Sequence, residues 1–304
     1  MATGPALLSN SDPLPLGELS DPLLVDPGPR LLRAVVEAYR EVAPSLVAPS
    51  VAELAGEADD TGDPDASDLP TLKVFAGETA VDAAASGFRS ASRLAALLDA
   101  GVVDLRVLDA PQPTPVLAGR ETGFALIEGE NGDGSERRRA VGTRRWNRVG
   151  DDASLRERYA SGFAGADQYR LRTPSRRRVY EGFATRCDES VAAAVLRALD
   201  AEVGSDSLGN EGPNPEETRI RAYAVGAREG VSDRALRRGC EDGGLGSPST
   251  FTRIKRLLRE ADLIETASEP QPVGRPRERL AARGALAAAE TPEETVAAVR
   301  GVTE

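Results

Sequence analysis

Between Phe251 and Arg259 the chain carries four cations, Arg253, Lys255, Arg256 and Arg259, and no carboxylate. They stand in a 304-residue chain whose net charge is −11. The same stretch has helical periodicity: Phe251, Ile254, Leu257 and Leu258 fall on one face. Ser249, Thr250, Thr252, Arg253, Lys255 and Arg256 are then expected on the outward face. Short hydroxyls at a helix start admit the helix deep into a DNA major groove, and arginine can bond guanine O6 and N7 together. The free N–H groups of the first turn suit a phosphate. Ser247-Pro248 opens the helix as N-cap and first position, so Ser247 joins the expected contacts. A second cationic set follows at period two, Arg275, Arg277 and Arg279. Gly274-Arg275-Pro276 resembles the core of an AT-hook, in which an extended arginine enters a narrow minor groove.

These residues need a scaffold, and the neighbouring sequence supplies its signals. Asn214-Pro215-Glu216-Glu217 is a capping-box start, after which Ile220, Tyr223, Ala224 and Ala227 repeat at helical spacing up to Gly230. Ser232 caps a second helix with Ala235, Leu236, Gly239 and Cys240 inside, and Gly243-Gly244-Leu245-Gly246 is a tight turn into the third. Two short helices joined by a glycine turn over a third is the helix-turn-helix pattern. Residues 263–268 and the arginine-bearing run after Gly274 read as a two-stranded wing. Glu278 occupies a position on the returning strand where an apolar residue is expected. Residues 214–283 are thus expected to form a C-terminal winged helix-turn-helix of α+β class. A tail helix opened by Thr291-Pro292-Glu293-Glu294 follows within 284–304.

Ahead of a polar, Gly-rich linker at 204–213, strand and helix signals alternate. Pro22 to Val25, Thr71 to Ala76 and Val102 to Leu108 read as strands, with helices at 31–42 and 91–100. Residues 21–203 are therefore expected to be an α/β domain with helices around a partly parallel sheet. Phe124 to Ile127 and Arg137 to Val141 read as a hairpin, and helices follow near 152–165, 175–184 and 189–201. Residues 1–20 read as an irregular arm, and 55–69, rich in Asp and Glu, as a disordered loop.

Composition excludes several chemistries. There is no histidine, hence no His-based triad, metal site or pH switch. Cys187 and Cys240 have no metal-ligand spacing and read as reduced thiols in cores. No phosphate-binding glycine loop follows a strand. These points argue against an enzyme and for no cofactor and no metal. All but two of the 38 basic residues are arginine, the exceptions being Lys73 and Lys255, and the acidic balance fits a cytoplasm of molar salt. No run approaches the ~18 apolar residues of a membrane span. The first residues lack a basic export signal, so a cytoplasmic location is expected.

The stretch from Gly246 to Arg253, through Ala261-Asp262-Leu263-Ile264 to Val273-Gly274-Arg275-Pro276-Arg277, resembles the C-terminal domain of the haloarchaeal TbsP-type transcriptional regulators. A fainter likeness covers about residues 20 to 200. The resemblance implies a regulator of transcription with an N-terminal α/β domain for effector sensing or assembly, acting through the Ser247 to Arg256 helix and Val273 to Arg277. The expected partners are double-stranded promoter DNA, a second copy of the chain in a homodimer, and a small-molecule metabolite effector. Thr173, Ser175, Arg176 and Arg177 mark a candidate anion or effector site, because cations in a first turn oppose the helix dipole unless an anion sits there. Two other readings stay open. One is a scaffold subunit using its winged helix for protein contacts; the other, less favoured, is an enzyme.

Overall fold

The computed structural model describes residues 4–7, 13–58, 62–129, 143–201, 212–269 and 277–302. They divide into two compact units, one of residues 1–48, 60–84 and 97–170, the other of residues 49–59, 85–96 and 171–304.

The first unit is an α/β sandwich. Leu23–Val25 (β1) is an unbroken apolar run, as a strand covered on both faces requires, and all three residues are buried. Pro29–Val42 (α1) follows, with proline at its first turn. Leu72–Ala76 (β2) pairs parallel to β1, and Val103–Val107 (β3) parallel to β2. Val116–Ala118 (β4), Gly123–Gly129 (β5) and Thr143–Gly150 (β6) extend the sheet antiparallel on the other side of β1. The order is β3-β2-β1-β4-β5-β6. Ser154–Gly165 (α2) covers one face, where Phe163 meets Phe75 edge-on at 5.8 Å beside Leu23, Val25 and Val116. Leu24, Val74, Leu105 and Leu117 point the other way and are buried too.

The partly parallel sheet matches the expectation from sequence. Among the described residues β5 pairs antiparallel with Thr143–Gly150, and the expected Arg137 to Val141 strand lies outside the described residues. Strand signals are weak in Arg144-Arg145-Trp146-Asn147-Arg148, because an edge strand tolerates cations on both faces. Of the acidic segment expected as a disordered loop, residues 59–61 lie outside the described residues. Ala66–Asp68 forms a 3-10 turn, Leu69 is buried, and Asp63 accepts a hydrogen bond from the Ser45 N–H at 3.0 Å. In the arm, Ala6–Leu7 pairs with Leu14–Pro15, and Leu7 and Leu16 are buried.

The second unit is mainly helical: Arg176–Arg186 (α3), Glu189–Asp200 (α4), Pro215–Arg228 (α5), Asp233–Asp242 (α6) and Pro248–Glu260 (α7). Ile264–Glu269 (β7) and Arg277–Ala282 (β8) form an antiparallel ribbon, and Pro292–Ala298 (α8) closes the unit. Val179 and Phe183 of α3 and Val195 and Leu199 of α4 share one core with Tyr223, Leu236, Phe251 and Val296. The continuous C-terminal part of this unit runs from Leu171 and so takes in α3 and α4, which lie before the 214–283 segment read from sequence. Helices α3 and α6 meet backbone to backbone. A Cβ on Gly182 would lie 2.4 Å from the Gly243 nitrogen, so only glycine fits there.

Candidate nucleic-acid interface

The helix-turn-helix is assembled by local signals. Asn214 and Glu217 form both halves of the capping box that starts α5. Gly230, at φ 66°, ends it in the left-handed region. The Ser232 hydroxyl accepts from the Ala235 N–H to start α6. Leu236, Gly239 and Cys240 face inward, and Leu245 is buried in the turn.

In α7, Phe251, Ile254 and Leu258 are buried, with Phe251 stacked on Tyr223 at 5.9 Å between ring centres. Ser249, Thr252, Arg253, Arg256 and Arg259 are exposed, and Thr250 is half-buried. Ser247 makes no side-chain cap. Its hydroxyl sits 2.8 Å from that of Ser249 and 3.1 Å from that of Thr250, which gathers three hydroxyls at the helix start. Thr252 donates to the Pro248 carbonyl and accepts from Arg237 of α6 at 3.1 Å.

Lys255 departs from the outward face expected of it. Its side chain is 11% exposed, with Nζ 2.9 Å from Glu278 and 3.4 Å from Asp233. The reason is angular: four residues on from Phe251 lies only about 40° round the helix, on the flank of the buried stripe. Glu278, anomalous in sequence, is the partner of this inward lysine. Asp233 joins Tyr223, Arg237 and Lys255 in one network. Burial opposes its ionisation. Hydrogen bonds from Tyr223 and Arg237 and the charges of Lys255 and Arg237 outweigh that, holding the carboxyl below its ordinary value. Tyr223 is pushed up by burial and by Asp233.

The remaining cations of α7 differ in what they meet. Arg253 is 46% exposed and lies 2.7 Å from Glu216 of α5. Arg256, 69% exposed, is 3.7 Å from Glu260. Arg259 has no side-chain partner among the described residues.

In the wing, β8 pairs with β7 from Arg277 opposite Glu269 to Ala282 opposite Ile264. Gly274 and Arg275 lie outside the described residues, as does the side chain of Arg277. Arg279, expected to contact DNA, donates instead from Nε to the Gly230 carbonyl at 2.8 Å and ties the wing to the end of α5. Sequence reasoning missed Arg234 and Arg238. They are exposed one turn apart on α6, with no side-chain partner among the described residues. Their i, i+4 spacing was the available signal, and in this motif the helix before the turn crosses the DNA backbone.

Two family models match the chain. One, described as "Transcriptional regulator TbsP-like, C-terminal HTH domain", matches residues 175–300; the other, "Transcriptional regulator TbsP-like, N-terminal", matches residues 30–174. The chain belongs to the TbsP-like transcriptional regulators. No match was found among curated proteins or among solved structures. The family's HTH segment opens at the start of α3, close to the limit of the second compact unit. Among the described residues, no helix of this TbsP-like chain is long and apolar enough to cross a membrane.

Within the family's N-terminal segment, a cavity of about 560 Å³ is lined by Asp26, Gly28, Leu31, Gln112, Thr114 and Leu126 among others. It opens where β1 ends and the antiparallel β4 begins, beside Asp26 and Gln112. The candidate anion site at the start of α3 has a different character. Arg176 is 12% exposed and donates to the Pro49 carbonyl and to Asp200, so the anion answering that first-turn charge belongs to the chain itself. Ser175 is buried, Thr173 half-buried and Arg177 exposed. Both thiols are favoured in their protonated form: burial, aided by Asp188, raises Cys187 to about 11, and full burial lifts Cys240 well above its ordinary value.

Proposed function

We propose that the chain is a sequence-specific DNA-binding regulator that lays α7 in a major groove of double-stranded promoter DNA. Arg253 and Arg256 read guanine edges, Ser249 and Thr252 allow close approach, and Arg234 and Arg238 of α6 hold phosphates. The supporting observation is the exposed line Ser249, Arg253, Arg256 on a helix whose opposite face is fully packed. Arg275 and Arg277 extend the contact into a flanking minor groove. Lys255 and Arg279 serve the fold, through the Asp233 network and the Gly230 carbonyl.

The protein acts as a homodimer, which places two such helices in successive grooves. The terminal helix α8 commits Val296 to its own unit's core. The dimer contact accordingly falls to the α/β unit, where Ile127 and Val149 are exposed at the outer strands. A small-molecule effector binds in the Asp26–Gln112 cavity rather than at Ser175–Arg177. In a cytoplasm of molar salt, phosphate contacts alone do not sustain affinity, since log affinity falls by about 0.9 per decade of salt for each phosphate. Discrimination therefore rests on base contacts. The test is a gel-shift of the full chain with genomic promoter fragments. Arg253→Ala should bind all fragments alike; a variant with unchanged preference removes α7 as the reading helix, and no binding by the native chain favours the protein-contact reading.

A further inference from the structure

The exposed arginine at the centre of the reading face is not free. The Arg253 guanidinium lies 2.7 Å from the Glu216 carboxylate, and that carboxylate stands in the first turn of α5, a separate helix. Glu216 is not needed to cap its own helix, because Asn214 and Glu217 complete the capping box without its side chain. Both partners are about half exposed, at 46% and 42%, so solvent and salt reach the pair.

We infer that Glu216 is a gate on Arg253, holding the guanidinium in the DNA-free protein and releasing it only to a groove that offers a better pair of acceptors. This inference rests on the DNA-binding reading above. The chemistry is an exchange. Before docking, Arg253 is neutralised by a carboxylate of its own chain. On docking, it must leave that carboxylate for a guanine edge or a phosphate, and Glu216 is left facing an anionic backbone. A gated cation therefore contributes less net attraction than a free one, and its share of the salt dependence is reduced. Arg256, 3.7 Å from Glu260 on its own helix and 69% exposed, is held far more loosely, so Arg253 is the cation whose release matters.

The test uses the full chain and a labelled duplex selected by the protein from a random-sequence pool, titrated from low to molar KCl. Glu216→Gln should tighten binding about two- to fivefold at low salt, the range for a solvent-exposed ion pair. The gain should shrink towards molar salt, with the slope of log affinity on log salt steepening by up to about 0.9. In an Arg253→Ala background the same substitution should give a clearly smaller gain, only what removing a carboxylate's repulsion of the DNA backbone supplies. A gain undiminished in that background, a gain equal at every salt, or no gain at all overturns the gate, because each means Glu216 does not act through Arg253. A DNA-free readout separates this from failure of the underlying reading: the Arg253 side-chain Nε–H resonance should move on Glu216→Gln. If it moves and neither protein binds any duplex at any salt, the DNA reading falls and takes the gate with it.

Discussion

Helices α3 and α7 both bring arginines to the surface of the same unit, and the fold uses them in opposite ways. Arg176 of α3 is drawn inward, 12% exposed, against Asp200 and the Pro49 carbonyl. Arg253 and Arg256 of α7 stay outside, with partners that water can displace. Residue type is the same in both cases. What differs is the neighbourhood: α3 runs against α4 and meets α6 at glycine-close range, whereas, among the described residues, the outer face of α7 meets Glu216 in the first turn of α5 and Arg237 of α6. An arginine becomes available to a partner when the chain offers it a carboxylate at the rim and no carbonyl within reach. The comparison predicts that changes in α3 act on stability and changes on the outer face of α7 act on binding.

The largest effect should come from Gly182→Ala in α3. Its Cβ would fall 2.4 Å from the Gly243 nitrogen and 2.9 Å from the Gly239 carbonyl, where backbone cannot move aside. A loss of about 3 kcal/mol is expected, read as a lower urea midpoint. An unchanged midpoint would mean that α3 does not rest on α6. Next comes Arg176→Ala, at about 2 kcal/mol, less than for a fully buried pair because Asp200 remains 39% exposed. It should leave the salt slope of DNA binding where it was. A change in that slope would place α3 at the interface and undo the contrast with α7.

Much of this was legible in the residues, and the failures share one cause. The capping boxes at Asn214 and Thr291, the glycine turn before Ser247 and the buried stripe from Phe251 to Leu258 are local signals, and each stands where the sequence indicates. Parallel β1, β2 and β3 follow from strand and helix alternation. What a linear reading cannot supply is the partner from a distant segment. Counting four cations and no carboxylate between Phe251 and Arg259 ignores Glu216, Asp233 and Glu278, which the fold carries to that helix. In the same way, the polar run at 204–213 suggested a boundary there. Val179, Phe183, Val195 and Leu199 nevertheless pack into the core beyond it, because apolar area, not linker composition, decides which helices belong together.

Two sides of α7 itself sharpen the comparison. On the inner flank, Asp233→Asn should cost about 1.5 kcal/mol at neutral pH by weakening the hydrogen bonds and charges that Tyr223, Arg237 and Lys255 direct at the carboxylate. The pH dependence has a definite sign. The folded carboxyl ionises below its ordinary value, so its contribution is complete above that ordinary value and is lost as pH falls through the folded one. The stability gap between native and variant should therefore narrow in acid, as followed by urea titration at a series of pH values. A gap that widens in acid would mean the carboxyl is not stabilised in its charged form.

On the outer flank the expected change in stability is the smallest. Arg253→Ala removes one exposed ion pair and no buried surface, so the urea midpoint should move by less than about 0.5 kcal/mol. The near-silence is informative because Lys255, two residues away, is fixed in the Asp233 network, and Lys255→Ala should destabilise measurably by leaving Asp233 and Glu278 without their shared cation. If Arg253→Ala lowered the midpoint as much as Lys255→Ala, the guanidinium would be part of the scaffold, and the line from Ser249 to Arg256 would lose its central reader.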